Sequence, residues 1–308
     1  MNATIIDGRK LSTEIKETVK EDVKLLESKG TKPCLATILI GSDQASSLYV
    51  SLKHRACEEV GIKSLDCKLP EGASIEEVEQ LIETLNSDEK VHGILVQLPL
   101  PKSMEIDRIM GKISPEKDVD GLHPCNIGAM IYGRYRLLPC TPAAVMVILE
   151  RYSIGIRGKH AVIISRSAEV GKPLAMLLLN QDATVTVCHS KTRNVEEYAK
   201  SADILISGVG RRPDFVVGER MVKDGSAVID IGTNKVEGKV CGDVDFEAVL
   251  PKVSYITPVP GGVGPMTVAM LLRNTLVATA IQTGVTTRSL GIFDCKRWPE
   301  LSNLGSGL

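Results

Sequence analysis

The stretch KHAVIISRSAEVGKPLAMLLLNQ, residues 159–181, determines how the chain is expected to fold. It opens with a short apolar run rich in β-branched residues, which predicts a buried strand, and it closes with KPLAMLLLNQ, which predicts a helix. Small residues join the two, so free backbone N–H groups at the start of the helix are available to a phosphate. This strand–turn–helix unit is typical of dinucleotide-binding domains.

The same alternation of strand and helix patterns runs through most of the 308 residues. Short apolar runs such as CLATILIG (34–41) and GILVQLPLP (93–101) predict buried strands, and helix patterns lie between them. Strands separated by helices pack as a mainly parallel sheet covered on both faces. The predicted fold class is therefore α/β, with two domains that each contain a mainly parallel sheet flanked by helices, the second of the Rossmann type.

The domain boundaries are predicted from the places where these patterns change. TPAAVMVILERY begins a second series of elements, with Thr141 as the expected N-cap. MTVAMLLRNTLVATAIQ is apolar on several sides, which predicts a helix buried between the domains. The predicted units are a catalytic domain at 1–139 completed by the helix 266–284, a dinucleotide-binding domain at 140–265, and a tail of unknown role at 285–308.

Composition and charge exclude several classes of protein. Lys and Arg number 37 against 38 Asp and Glu, for a net charge of −1, so nothing in the chain attracts nucleic acid. No run of about twenty apolar residues predicts a membrane span, and the first ten residues lack the apolar core of a signal peptide. The eight cysteines form no CxxC pair and have no histidine at ligand spacing. We therefore expect a cytoplasmic protein with reduced thiols and no metal site.

The turn inside the opening stretch has the features of a phosphate site without the usual GxGxxG sequence. It contains Ser165, Ser167 and Gly171, together with the positive charge of Arg166. The next strand ends in CHSKT, which includes Ser190, whereas NAD sites place an acidic residue there to bind the ribose. Donors and a positive charge without a carboxylate favour a 2′-phosphate, and hence NADP over NAD. The alternative is that Arg166 is a solvated loop residue.

A helix predicted from SSLYVSLKHRACEEVG (46–61) places Tyr49 and Lys53 one turn apart on the same face. The simpler interpretation is a surface lysine beside a half-buried tyrosine, and the other makes Lys53 a proton-transfer group in a substrate cleft. Gln97 lies near the carboxyl end of a predicted buried strand, where an amide needs a partner and where parallel sheets border ligands. An amide that caps a loop remains the alternative for Gln97.

Two loops carry further candidates. SPEKDVDGLHPCN (114–126) holds Asp118, Asp120 and His123 but lacks the ligand series of a calcium loop, so a carboxylate that binds a guanidine-like ring edge fits as well as a cation. TPVPGGVGPMT (257–267) holds three prolines and three glycines in eleven residues. Such a run predicts neither a helix nor a central strand, and we interpret it as a rigid ligand loop.

Seven segments together resemble the bifunctional methylenetetrahydrofolate dehydrogenase/cyclohydrolase family. They occur in the family's order: YVSLK, VQLPLP, KDVDGLHPCN, PCTP, CHSKT, GDVDF and PGGVGPMT. The resemblance implies hydride transfer from methylenetetrahydrofolate to NADP⁺, followed by hydrolysis of the methenyl product to 10-formyltetrahydrofolate. It also implies tetrahydrofolate one-carbon derivatives as substrates and a homodimer formed through the nucleotide domains.

The resemblance further assigns roles to individual residues. Lys53 resembles the catalytic lysine and Tyr49 the aromatic group that lies against the folate. Gln97 resembles the hydrogen-bond partner of Lys53, and Asp120 the carboxylate that holds the pterin, which completes the implied catalytic set. The residues of the Pro/Gly run that are implied to contact the substrate are Pro260, Gly261, Gly262 and Thr267. The residues implied to contact the cofactor are Ser165, Arg166, Ser167, Ser190 and Thr233. The family usually has Gly where Ser165 stands and an aliphatic residue where Thr233 stands.

The proposed role of Lys53 sets a physical requirement. A free lysine has a pKa of about 10.4, so action as a base near neutral pH requires a decrease of roughly three units, or about 4 kcal/mol. Burial in a cleft supplies such a decrease, and the neutral amide of Gln97 does not oppose it. A carboxylate in contact would stabilise the ammonium, so we expect Asp120 to lie away from the Lys53 nitrogen.

Other functions stay open on the residues alone. Short-chain dehydrogenases also use YxxxK, although there the nucleotide turn precedes that pair in the chain. A two-domain amino-acid or shikimate-type dehydrogenase shares the architecture but does not require VQLPLP or the Pro/Gly loop. A monofunctional dehydrogenase is expected if Lys53 is too exposed to lose its proton. A non-catalytic nucleotide-binding regulator would produce no reduced cofactor from methylenetetrahydrofolate and NADP⁺.

Overall fold

The computed structural model describes residues 3–101 and 104–287. Within these ranges the chain forms a six-stranded sheet, a three-stranded sheet and a small two-stranded hairpin. Helices separate most of the successive strands, which confirms the predicted α/β class. Residues 288–308, which make up most of the predicted tail, lie outside the described residues.

The strands have the following bounds: β1 (Thr4–Ile5), β2 (Cys34–Ile40), β3 (Lys63–Leu69), β4 (Gly93–Val96), β5 (His160–Ile164), β6 (Thr184–Cys188), β7 (Ile204–Ser207), β8 (Ala227–Asp230), β9 (Asn234–Val236), β10 (Lys239–Cys241) and β11 (Tyr255–Ile256). The α-helices in the described ranges are α1 (Gly8–Ser28), α2 (Gln44–Val60), α3 (Ile75–Ser87), α4 (Ile106–Met110), α5 (Pro124–Ile131), α6 (Cys140–Arg151), α7 (Gly171–Leu179), α8 (Val195–Lys200), α9 (Phe246–Val249) and α10 (Val263–Thr283).

Both main sheets are parallel. The smaller has the strand order β3-β2-β4, and the larger has the order β1-β11-β8-β7-β5-β6. Every residue of β2 and β4 is buried, as expected for strands that are covered on both faces. Ligands of parallel sheets bind beyond the carboxyl ends of the strands. Gln97 follows β4 and Ser165 follows β5, so the topology places both at such an edge.

Helix α10 packs on elements from both halves of the chain. It lies against α1 and α6 and also contacts α2 and β4. Fourteen of its 21 residues are buried. Burial on every side explains why the sequence shows no single apolar stripe, because a helix surrounded by protein needs no solvent-facing side.

Helix α10 begins at Val263 rather than at residue 266, and it ends at Thr283 rather than at 284. The prediction that the Pro/Gly run excludes a helix was therefore wrong for its second half. Pro265 is the third residue of the helix, where the backbone N–H that proline lacks has no partner within the helix. The Pro/Gly run thus ends in the first turn of a long buried helix, which holds the preceding loop in place.

Thr141 is not the N-cap of α6, because that helix already begins at Cys140. Its hydroxyl instead lies 3.3 Å from the hydroxyl of Thr267 in α10. The threonine therefore connects two helices rather than capping one.

Both halves of the chain contribute to the larger sheet. Strand β1, at the N-terminus, pairs in parallel with β11 at its edge. Propensity alone did not indicate these two short strands, since two-residue strands carry no measurable periodicity. The domain boundary at residue 139 stays a prediction.

The described part of the chain contains no helix that combines the length and the apolarity needed to cross a membrane. Seven cysteines lie in this part, and each has a free thiol. Residues 3–101 and 104–287 contain no cluster of three or more His, Cys, Asp or Glu side chains arranged to hold a metal ion.

Candidate active site

A cavity of about 450 Å³ lies beyond the carboxyl ends of β4 and β8, beside α2 and the start of α10. Most of the residues predicted to contact substrate line it, and so does one predicted cofactor residue: Tyr49, Lys53, Gln97, Thr233, Pro260, Gly261, Gly262 and Thr267. The structure therefore brings together side chains that lie more than 200 residues apart in the sequence.

Lys53 and Gln97 form a hydrogen-bonded pair in the wall of this cavity. Lys53 Nζ donates to Gln97 Oε1 at 2.8 Å, and Gln97 Nε2 donates to Leu98 O at 2.6 Å. The second bond fixes the amide so that its oxygen faces the lysine. Burial lowers the pKa of Lys53 below its ordinary value, and the opposing charge of Asp120 is the weaker effect. The amine is therefore held by an uncharged partner and loses its proton more easily than an exposed lysine does.

Asp120 is partly buried near the first residue of α6. Burial raises the pKa of its carboxyl group, and the Lys53 ammonium acts in the opposite direction. The ion pairs found in the described part of the chain do not include one between these two residues. The Cys140 thiol donates to Val119 O at 3.4 Å, and burial, together with the nearby charge of Asp120, raises the pKa of this thiol well above its usual value. Asp120 thus acts on Lys53 through charge rather than through direct contact.

Asn274 holds the loop that carries Asp120. Its side chain is fully buried in α10, and Nδ2 donates to Val119 O at 2.9 Å and to Leu138 O at 2.8 Å. Val119 precedes Asp120, and Leu138 lies two residues before Cys140. The Asn274 amide therefore fixes both the backbone segment that carries Asp120 and the one that leads to Cys140.

Asp118 has a structural role in the same loop. Its carboxylate accepts backbone N–H bonds from Gly121, Leu122 and His123 and a side-chain bond from Asn126. With its oxygens occupied by four donors, this buried group shapes the turn that presents Asp120.

The Pro/Gly run at 257–267 packs directly on the start of α1. A Cβ atom on Gly8 would overlap Gly262 O, and the backbone of Gly261 has a φ of +112°. Both positions therefore require glycine, because any side chain would push the loop away from the helix or strain its backbone. Thr267 Oγ1 donates to Val263 O at 3.4 Å, so this hydroxyl is tied to the first turn of α10.

The turn between β5 and α7 has the shape expected of a phosphate site. Ser167 Oγ accepts hydrogen bonds from Val170 N at 3.1 Å and Gly171 N at 3.4 Å, so it caps the start of the helix while its own O–H stays available. A Cβ atom on Gly171 would overlap Ser165 O, which only glycine avoids. Arg166 is exposed at the tip of the turn. The cradle and its donor set suit an anionic phosphate group.

The end of β6 adds exposed donors without a carboxylate. Ser190 is exposed, and the turn around it is fixed by bonds from Lys191 N to His189 Nδ1 at 3.1 Å and from His189 N to Thr192 Oγ1 at 2.9 Å. Ser190 and the β5–α7 turn do not line the cavity that holds Lys53. Thr233 does line it, as an exposed residue after β8.

Two buried carboxylates, Asp243 and Asp230, hold the loops that follow β7 and β8 in place. Asp243 accepts hydrogen bonds from Ser207 Oγ and from the backbone N–H groups of Val209 and Gly210. Asp230, which lines the cavity, accepts backbone bonds from the loop around Asp243, and burial raises its pKa to about 6. The pair thereby fastens the loop after β7 to the end of β8.

Arg9, Cys140 and Asn274 belong to the site region but received no role from the sequence. Asn274 carried a usable signal, since an amide within a helix predicted to be buried requires hydrogen-bond partners. Cys140 lies in the segment PCTP, but its residue type alone fits a core position equally well. Nothing in the local sequence around Arg9 indicated that the start of α1 borders a cavity.

Comparison with known proteins gives consistent results for both halves of the chain. The model for the tetrahydrofolate dehydrogenase/cyclohydrolase catalytic domain matches residues 6–120, and the model for the NAD(P)-binding domain of the same family matches residues 139–283. A curated relative, bifunctional protein FolD of Methanoculleus marisnigri, is 51% identical over 280 residues, which cover 91% of this chain and 97% of that protein.

Two solved structures are similar over the same extent. The bifunctional methylenetetrahydrofolate dehydrogenase/cyclohydrolase FolD of Campylobacter jejuni is 51% identical, with a TM-score of 0.87 over 90% of this chain and 99% of that one. The Trypanosoma brucei methylenetetrahydrofolate dehydrogenase-cyclohydrolase, solved with NADP and an inhibitor, is 39% identical, with a TM-score of 0.88 over 92% of this chain and 100% of that one.

Proposed function

The chain belongs to the tetrahydrofolate dehydrogenase/cyclohydrolase family, and from this premise we propose how its own residues perform the two reactions. The protein oxidises methylenetetrahydrofolate to methenyltetrahydrofolate with NADP⁺ and then hydrolyses that product to 10-formyltetrahydrofolate. We assign the catalytic role to Lys53 because its side chain donates a hydrogen bond to Gln97 inside the cavity.

The β5–α7 turn and the end of β6 hold the cofactor. NADP⁺ supplies the hydride acceptor when it is bound. The backbone N–H groups and hydroxyls of Ser165 and Ser167 would hold its phosphates, and Arg166 with Ser190 would hold the 2′-phosphate, which no carboxylate in CHSKT repels. Thr233 contacts the cofactor from the cavity side.

The cavity holds the folate. Tyr49 lies against its ring system, and the loop from Pro260 to Gly262 follows its length, with Thr267 at the end of that loop. Asp120 accepts hydrogen bonds from the guanidine-like edge of the pterin. Its raised pKa does not prevent this, because the pterin donates to the ionised carboxylate and favours that form.

Lys53 moves the proton in the hydrolysis. The neutral amine donates one N–H to Gln97 Oε1, which leaves its lone pair free to accept a proton from water as the water oxygen bonds to the methenyl carbon. The carbon–N5 bond then breaks as the proton passes from Lys53 to N5. The hydroxyl on the carbon loses its remaining proton to solvent as it becomes the formyl C=O, and the formyl group stays on N10. The amine is restored, so the lysine is not consumed.

The two reactions can be followed in one assay. Methylenetetrahydrofolate and NADP⁺ added to the protein should give reduced-cofactor absorbance, and methenyltetrahydrofolate added alone should lose its own absorbance faster than in buffer. A two-domain dehydrogenase for amino acids or shikimate-type substrates would give neither signal. A monofunctional dehydrogenase would give only the first.

The pH dependence of the cyclohydrolase should report the charge of Lys53. The neutral amine is the active form, so the rate should rise with pH through the pKa of Lys53. The negative charge of Asp120 raises that pKa, and the Asp120→Asn variant should therefore reach half its maximal rate at a lower pH than the wild type.

The check is a profile of kcat against pH after subtraction of the uncatalysed hydrolysis. Asp66→Asn, which removes a carboxylate from the surface pair with Lys68, serves as the control and should leave the midpoint unchanged. A midpoint in Asp120→Asn equal to or above that of the wild type would contradict the proposed coupling.

The family resemblance and the free thiols support two further proposals, on the assembly and on the compartment of the protein. We propose a homodimer formed through the nucleotide domains, which sedimentation equilibrium would contradict by giving the mass of one chain, 33.2 kDa. We also propose a cytoplasmic location, in accord with the free thiols of the seven described cysteines. Recovery of the activity only outside the cytosolic fraction would contradict it.

A further inference from the structure

The segment GDVDF (242–246) contains a fully buried carboxylate, Asp243, which does not line the substrate cavity. Both of its oxygens accept hydrogen bonds at 2.7–3.1 Å, two on each oxygen. The four donors are Ser207 Oγ, Val209 N, Gly210 N and Asn234 Nδ2. A buried carboxylate with so many charge-assisted bonds is fixed in one orientation, and it fixes the segments that donate to it.

The donors belong to two neighbouring segments of the larger sheet. Three lie at the end of β7 or in the loop after it (208–210), and the fourth lies directly after the loop that follows β8 (231–233). A Cβ atom on Gly232 would overlap the Asp243 carboxylate, so this second loop also packs directly on it. One side chain therefore ties the loop after β7 to the loop after β8.

The loop after β7 lies between the two regions proposed to hold the cofactor. The strand order places β7 between β5 and β8, and a Cβ atom on Gly208 would lie 3.7 Å from both Ser165 Cβ and Ile231 Cβ. The proposed phosphate turn follows β5, and Thr233, after β8, lines the cavity that contains Lys53. A dinucleotide that reaches from that turn into that cavity must cross the carboxyl end of β7.

We propose that Asp243 is a positioning residue for hydride transfer, because it holds the loop that the cofactor crosses on its way to the folate. This inference rests on the proposed function, since it requires NADP⁺ between the β5–α7 turn and the cavity. Asp243 is buried, so it acts through the backbone of Val209 and Gly210. Its effect belongs to kcat of the dehydrogenase, because a misplaced reacting group stays misplaced when the cofactor is saturating.

Asp243→Asn removes this support with little change of shape. Asparagine has a single acceptor oxygen, so an NH₂ group faces one of the two pairs of donors. Whichever way the amide turns, the N–H of Val209 or of Gly210 loses its acceptor. The backbone N–H of residue 243 still donates to Asp230, so the wall of the substrate cavity keeps its own bond.

The test compares the two activities of Asp243→Asn. With saturating NADP⁺, kcat of the dehydrogenase should fall about 10- to 100-fold, the range expected for a misplaced reacting group and an unpaired buried donor. Methenyl hydrolysis, measured without cofactor, should stay near the wild-type rate. Hydrogen exchange provides a readout that needs no activity: in the cofactor-free variant the amides of Val209 and Gly210 should exchange faster than in the wild type.

Asp245→Asn is the matched control. Asp245 lies in the same segment, is exposed, and caps α9 by accepting a hydrogen bond from Ala248 N, which asparagine also accepts. It should leave kcat and the amide exchange unchanged. The inference would be overturned by a wild-type kcat in Asp243→Asn, by an equal fall of both its activities, by unchanged amide exchange, or by the same loss of kcat in Asp245→Asn.

Ser207→Ala decides the question if Asp243→Asn yields no folded protein. It removes one donor to the carboxylate and keeps both backbone bonds. Its dehydrogenase kcat should fall about 2- to 10-fold, the range for one hydrogen bond, with methenyl hydrolysis unchanged. A wild-type kcat would overturn the inference. If the wild type itself forms no reduced cofactor from methylenetetrahydrofolate and NADP⁺, the proposed function is wrong.

Discussion

Replacement of Lys53 by methionine is expected to lower the cyclohydrolase rate by about 100- to 10,000-fold, the range that a positioned proton-transfer group contributes. Methionine has a similar length and fills the same space, but it can neither accept a proton from water nor pass one to N5. The measurement is the rate at which methenyltetrahydrofolate absorbance is lost at saturating substrate. Methenyl hydrolysis near the wild-type rate would refute the assigned role.

The dehydrogenase activity of the same variant is the internal control. Hydride transfer requires mainly that the donor and acceptor carbons be held together, so it should fall far less than hydrolysis. Lys53→Arg provides a second control, because arginine keeps a positive charge but does not lose its proton near neutral pH. Loss of the cyclohydrolase in both variants would point to proton transfer, whereas activity in Lys53→Arg would show that charge alone suffices.

Replacement of Gly171 by alanine is expected to raise KM for NADP⁺ by about 10- to 100-fold and to leave methenyl hydrolysis near the wild-type rate. The added Cβ would overlap Ser165 O and lie 2.8 Å from Arg166 N, so the turn that holds the phosphates must shift. Overpacking of this kind costs about 1–3 kcal/mol, and each 1.4 kcal/mol of binding energy corresponds to a factor of ten. The cyclohydrolase assay contains no cofactor and is therefore insensitive to this turn.

Gly155→Ala is the matched control for this variant. Gly155 also lies in the second half of the chain, just before β5, and a Cβ atom there would meet nothing within 4 Å. It should leave both activities unchanged. A Gly171→Ala variant that lost both activities together would indicate general unfolding, and one that bound NADP⁺ normally would contradict the phosphate role of the turn.

Periodicity and turn chemistry predicted most of the longer elements. The strands β2, β4 and β5 and the helices α2 and α7 follow from apolar spacing and from the turn residues that flank them. Short elements were missed, among them β1, β11 and the β9–β10 hairpin, because two or three residues carry too little pattern to distinguish a strand from a loop.

The start of α10 was missed for another reason. Glycine and proline lower helix propensity when they are counted singly, but at the first turn of a helix proline loses no bond and glycine permits close packing. Gly262 meets Gly8 at this point, across more than 250 residues of sequence. The packing that makes the helix favourable there is not visible from the segment itself.

The sequence by itself determined the α/β class, the family and the residue types available for the chemistry, because each depends on short-range order along the chain. Only the tertiary structure decided that Lys53 lies in a partly buried cavity, that the Gln97 amide meets it from 44 positions away, and that Asn274 fixes the loop of Asp120. A lysine loses basicity when other segments exclude water around it, and that exclusion depends on packing between residues far apart in sequence.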